Sequence, residues 1–201
     1  ASGSVVWTRT GGTADGNSPH TAALAGTELN TGQRASAVLT NAPTLVSGTI
    51  YTIAFNGTDA GGNAATEVSV TGITFDTTAP TIIASTTIAS DNSTATVTFS
   101  EAVFDTNGGS GALEATDFTL SISGGVATLG AATPTSISIS GNAYTLGFNL
   151  SGTPTGAETL RIVPSSATAI YDAAGNAAST SQSNNTVALN EKIIPTVTFS
   201  P

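Results

Sequence analysis

Short β-branched runs with a period of two recur along this chain, cut apart by Gly, Asn, Asp and Pro, and helical periodicity is nearly absent. The clearest runs are Ile50 to Phe55, Glu67 to Phe75, Thr94 to Phe99, Phe118 to Ile122, Ser136 to Ile139, Tyr144 to Leu150 and Thr186 to Leu189. Alternation of this kind puts every second side chain on one face of a strand. Many such strands separated by turn signals predict an all-β sandwich or barrel.

An internal echo sets the number of domains. The stretch Asp59-Ala60-Gly61-Gly62-Asn63-Ala64-Ala65 returns as Asp172-Ala173-Ala174-Gly175-Asn176-Ala177-Ala178. Each copy precedes a last strand and then a proline-led restart, Pro80-Thr81-Ile82 after the first and Pro195-Thr196-Val197 after the second. Two markers repeating at nearly the same spacing, roughly 113 residues, indicate tandem modules. The expected division is 1–78, 79–193 and a linker with an opening strand at 194–201. Proline stiffens the boundary near Thr77 to Pro80, because it fixes its own backbone and lacks a ladder donor.

The phase of the repeat adds a further expectation. If Pro80 opens the second module, then Pro195, Thr196, Val197, Thr198 and Phe199 read as the opening strand of a third. The first module begins at Ala1-Ser2-Gly3-Ser4 without an equivalent opening strand. The chain then reads as a window of a longer array, or as a protomer whose terminal strand completes the first module of the next. Either arrangement removes an unpaired edge.

Composition narrows the function. Charged residues make up only 8% of the chain, with 4 Lys and Arg against 13 Asp and Glu and a net charge of −9. Without basic surface there is nothing to neutralise phosphates or anionic lipid, so the expected partners include no nucleic acid and no membrane. Cations fit this balance better. The absence of cysteine excludes disulfides and Cys-ligated metal. No apolar run is long enough to span a bilayer.

Three motifs in order carry a resemblance: the Asp-Ala-(Ala/Gly)-Gly-Asn loops at 59–63 and 172–176, the Phe75-Asp76-Thr77-Thr78-Ala79-Pro80 linker, and Phe99-Ser100-Glu101-Ala102-Val103. Together they resemble the bacterial immunoglobulin-like repeats found in tandem in large surface adhesins and fibrous cell-surface proteins. The resemblance implies two immunoglobulin-like β-sandwich domains in an extracellular, non-catalytic stalk or filament at the cell surface. Its partners would be neighbouring repeats or protomers, with any cell-surface or glycan ligand elsewhere in the full protein.

Calcium is the chemistry best suited to the acidic residues. In an immunoglobulin-like sandwich the loops after the second strand and before the last strand return to the pole where the chain enters. Glu101 and Asp105 follow the second strand, Asp172 precedes the last, and Asp76 lies on the linker. Hard oxygen ligands converging at one pole are what Ca²⁺ requires. Asp59 is placed likewise at the pole of the first module, and Asn63 and Asn176 can add carbonyl oxygens. The bland reading stands beside this one: Asp-x-x-Gly-Asn is also a tight-turn sequence, in which Asp caps its own backbone.

Enzyme readings are weaker. His20 is the only histidine, and no nucleophile-elbow motif supports a triad built on it. Carboxylate pairs such as Glu101 with Asp117, or Glu114 with Asp117, satisfy a glycosidase only in residue type. Trp7, Tyr51, Tyr144 and Tyr171 offer the alternative of a carbohydrate-binding module if exposed together, and core residues if not. Four N-x-Ser/Thr sequons stand at Asn56, Asn92, Asn149 and Asn184.

Overall fold

The period-two runs form ladders, and each of the named strands pairs antiparallel. A computed structural model describes residues 1–29 and 39–197. The chain divides into two compact units, Ala1–Thr78 and Ala79–Pro201.

In the first unit, β1 (Ser2–Gly12), β2 (His20–Ala23), β3 (Thr49–Thr58) and β4 (Val68–Phe75) form one sheet in the order β2-β1-β3-β4. Val5 and Trp7 alternate onto one face of β1 and meet Ala22 and Tyr51 in a small core, flanked by Leu24, Leu39, Leu45, Ile53 and Phe75. The chain start was expected to lack an opening strand. Ser2–Gly12 is a strand, but it lies between β2 and β3 in the interior of the sheet.

The second unit contains β5 (Thr87–Ile88), β6 (Thr94–Thr98), β7 (Phe118–Ser123), β8 (Thr128–Leu129), β9 (Ser136–Ser140), β10 (Ala143–Gly147), β11 (Leu150–Ser151), β12 (Thr159–Pro164) and β13 (Thr186–Ala188). These make a sheet ordered β5-β6-β10-β9, another ordered β13-β12-β7, and the short pair β11-β8. Ala95 and Val97 of β6, Tyr144 and Leu146 of β10, Phe118 and Leu120 of β7, and Leu160 and Ile162 of β12 are buried in a single cluster. All four strands alternate buried and less buried positions, as sheets packed face to face require. The fold is therefore all-β and sandwich-like. Burying each of the larger side chains contributes about 1.5–3 kcal/mol.

The opening segment of this unit lies between the two sheets. On one side the Ile83 amide donates to Thr98 (3.0 Å) and the Ser100 amide to Thr81 (2.8 Å). On the other, the Ile82 amide donates to Oε1 of Gln182 (2.9 Å), and the Thr86 amide to the Asn184 carbonyl (3.1 Å). Ile82 is thereby driven into the core at 1% exposure.

The two units share a plan. β3 pairs with β1 and β4, just as β12 pairs with β7 and β13. In each, the Asp-Asn loop falls between the central strand and the edge strand that follows. Among the described residues the first unit has no counterpart of the β5-β6-β10-β9 sheet.

Candidate metal centre

Both Asp-Asn loops close in the same way. Asp59 Oδ1 accepts from the amides of Gly61 (2.8 Å) and Asn63 (2.9 Å), and Oδ2 accepts from Asn63 Nδ2 (2.9 Å). In the second copy, Asp172 Oδ1 accepts from the Asn176 amide (2.8 Å) and Oδ2 from Asn176 Nδ2 (2.7 Å). The bridges Thr58↔Ala64 and Tyr171↔Ala177 seal the two loops. Each aspartate caps its own turn, and these hydrogen bonds, led by the Asn63 side chain, hold the Asp59 carboxyl below its ordinary range.

Within the second unit, the Phe104 amide donates to Tyr171 (2.7 Å) and the Tyr171 amide to Phe104 (2.8 Å), so the segment after β6 runs beside the Asp172 loop. A carboxylate oxygen of Glu101 and one of Asp172 lie within 4.8 Å of each other. Asp172 is buried and Glu101 half-buried. Asp105 turns elsewhere: its Oδ1 accepts from Thr106 Oγ1 (2.8 Å), and its carboxylate lies over Gly111. Asp76, in the first unit, accepts at Oδ1 from Ser47 Oγ (3.0 Å) and the Thr78 amide (2.9 Å). The amide of Thr78 is the main reason that its carboxyl sits below the ordinary range. Asp59 belongs to no group of three metal-ligating side chains among the described residues.

No family model, curated protein or solved structure matches the chain.

The remaining polar candidates have structural partners. Glu114 and Asp117 form a reciprocal capping box around the short 3₁₀ turn Ala115–Asp117, with the Glu114 amide donating to Asp117 Oδ2 (2.7 Å). Burial is the chief reason that Asp117 titrates above its ordinary value, with Asp105 and Glu114 adding to the shift. Trp7, Tyr51 and Tyr144 are buried and Tyr171 half-buried, so these rings build no open stacking platform. Of the sequons, Asn92 is buried: its Nδ2 donates to the Asn190 carbonyl (2.8 Å) and its Oδ1 accepts from the Asn190 amide (2.8 Å).

Two further carboxylates, Asp15 and Glu158, are buried, and the Asp15-Gly16-Asn17-Ser18-Pro19 sequence reads as the turn it forms, with Asp15 Oδ1 accepting from the Asn17 amide (3.1 Å). Oδ2 of Asp15 receives the Tyr51 hydroxyl (2.6 Å) and Nε2 of His20 (2.6 Å), tying the loop after β1 to β3. Those two bonds, the Tyr51 one foremost, lower its pKa. Glu158 is buried and receives the amides of Val126 (2.8 Å), Ala127 (3.0 Å), Thr155 (2.9 Å) and Gly156 (3.1 Å). Led by the Ala127 amide, these bonds depress its pKa to about 2.

Proposed function

We propose that the chain is a non-catalytic structural or adhesive repeat of an extracellular bacterial surface protein or filament, composed of immunoglobulin-like modules. The observation that carries this reading is the repetition, in both units, of a central strand flanked by two antiparallel partners and followed by the same self-capped Asp-Asn loop. The strand order supports the immunoglobulin-like assignment. With β5, β6, β9, β10, β7, β12 and β13 read as A, B, D, E, C, F and G, the second unit has the A-B-E-D and G-F-C sheets of that sandwich. Loops fastened by their own carboxylates suit a spacer that bears load between neighbours. The buried aromatic rings lend no support to a carbohydrate-binding module. Immunogold labelling of thin-sectioned cells of the source organism tests the reading: label along surface fibres or stalks is expected, and label confined to the cell interior overturns it.

Calcium belongs to the same proposal. Glu101 and Asp172 supply two hard oxygen donors at one pole of the second unit, and binding would offset their mutual repulsion. Millimolar Ca²⁺ is expected to raise the melting temperature of that unit; at a hundredfold excess over Kd the gain is about 2.7 kcal/mol. Glu101→Gln should abolish the shift, and Asp76→Asn measures whether the linker carboxylate contributes. An identical melting curve in Ca²⁺ and in chelator removes calcium from the proposal.

A further inference from the structure

One half of the first unit's sheet is bare. The register pairs Phe55↔Val68, Ile53↔Val70 and Tyr51↔Ile73 put six side chains on the same face. On that face Val5 and Trp7 of β1 and Tyr51 of β3 are buried, whereas Phe55 is 47% exposed, Val68 64%, Val70 52% and Ile73 40%. A shallow groove of about 460 Å³ opens at this end, with Gly3, Leu24, Phe55 and Val68 among its walls. Among the described residues β4 is also the edge of the sheet, paired only with β3. Its sequence, Val-Ser-Val-Thr-Gly-Ile-Thr-Phe, contains no charge and no proline. Edges of soluble proteins normally carry such protection, and an apolar edge without it is a template for another strand.

The second unit shows what lies beside the stretch leading into its own edge strand, β13. There the Pro80-Thr81-Ile82 segment lies against the stretch leading into β13, through Gln182 and Asn184, and Ile82 fills the core. The second copy of this motif, Pro195-Thr196-Val197, lies outside any ladder among the described residues. Val197, which stands where Ile82 stands in the motif, is 77% exposed, and Ile193 and Ile194 beside it are exposed as well. Thr198 and Phe199, also expected in this strand, lie outside the described residues. The molecule thus displays an apolar edge and, separately, an exposed copy of the motif that in the second unit lies beside the approach to the equivalent strand.

We infer that the Ile193–Val197 segment of a second copy of this chain pairs with β4 and turns Val197 onto the bare Val70 and Ile73 face. This rests on the reading of the chain as a structural repeat and specifies how two copies join. Donor and acceptor are different surfaces, so the contact is head-to-tail and propagates into open chains rather than closing as a symmetric dimer. Strand addition of this kind draws affinity from main-chain hydrogen bonds and specificity from alternate side chains in pockets.

The test uses the full chain and exploits its lack of cysteine. A Val70→Cys, Val197→Cys double variant, oxidised and run on a non-reducing gel, should give a ladder of multiples of 19.7 kDa. Val70→Cys paired instead with Val126→Cys, which is exposed elsewhere on the second unit, should not. In sedimentation, Val70→Asp and Val197→Asp should each lose the concentration-dependent assembly of the wild type. Mixed one to one, they should form a heterodimer and stop there, because one supplies only a donor and the other only an acceptor. Both substitutions fall at exposed positions, and an unchanged melting curve verifies that each variant folds. A wild-type chain that stays monomeric with no ladder, or assembly that persists in Val197→Asp, overturns the inference. Surface labelling of cells would survive that failure, since a covalent array also produces it.

Discussion

Phe99→Ala is expected to cost the second unit about 3–5 kcal/mol of unfolding free energy, among the largest losses that a single truncation produces. Phe99 is fully buried where the opening segment, β6 and β7 converge. Its ring meets Tyr144 edge-on with centroids 5.7 Å apart and lies 6.5 Å from Phe118. Its backbone bridges Ile82, and its amide donates to the Asn142 carbonyl (3.0 Å). Neither side can collapse into the void without breaking a ladder, so both the transfer term and the cavity term are lost. Guanidinium unfolding should show the transition of the second unit moving while that of the first stays in place, because the two cores share no residue. Phe55→Ala supplies the contrast, since that ring is half exposed and its loss should change stability by less than about 1 kcal/mol. A loss below about 1 kcal/mol for Phe99→Ala would mean that the sandwich core is not where the structure puts it.

What could be read in the sequence, and what could not, follows from the range of the interactions. Runs whose own alternation is unbroken, such as Thr94 to Phe99 and Phe118 to Ile122, are strands at nearly those bounds. β12 was not anticipated, because Arg161 interrupts its apolar pattern and Pro164 ends it. Arg161 points away from the core while Leu160 and Ile162 fill it, which is ordinary alternation obscured by a short strand. β1 was missed because Ser and Gly at its start weaken the local signal, while its neighbours β2 and β3 supply the pairing. The Asp-Asn loops were visible because turn chemistry is local. The turn at Asp15 is legible for the same reason, but the Tyr51 hydroxyl that Asp15 accepts comes from 36 residues away and the Val126 and Ala127 amides on Glu158 from 32 and 31, so those ties leave no local pattern.

The same point makes the Glu158 site one where the second unit is sensitive to a single added methyl group. Gly125 sits at φ +58° with its Cα facing the Glu158 carboxyl, and an added Cβ would fall inside that group. The carboxyl cannot swing aside, because it holds the amides of Val126 and Ala127 on one loop and of Thr155 and Gly156 on another. Gly125→Ala is therefore expected to combine the left-handed backbone cost with overpacking, together about 2–5 kcal/mol. Gly141 has nearly the same backbone, at φ +57°, but nothing near its missing Cβ. Gly141→Ala should show the backbone cost alone, about 1–2 kcal/mol. Equal losses at the two glycines would show that the Glu158 clamp is not rigid.

Acid titration reads the clamp from its other side. A carboxyl whose folded pKa is depressed to about 2 contributes stability that is complete above its ordinary value of 4.5. That contribution is lost as pH falls from 4.5 toward 2. Glu158→Gln keeps the shape but turns an NH₂ group toward amide donors, so the variant should melt well below the wild type at neutral pH. The gap between them should then narrow steadily below pH 4.5, because the wild type alone surrenders the clamp. Depressed carboxyls elsewhere, such as Asp15, Asp59 and Asp91, act equally on both proteins and cancel in the comparison. A gap that stays constant with pH would mean that Glu158 stabilises the loops by packing and not by its charge.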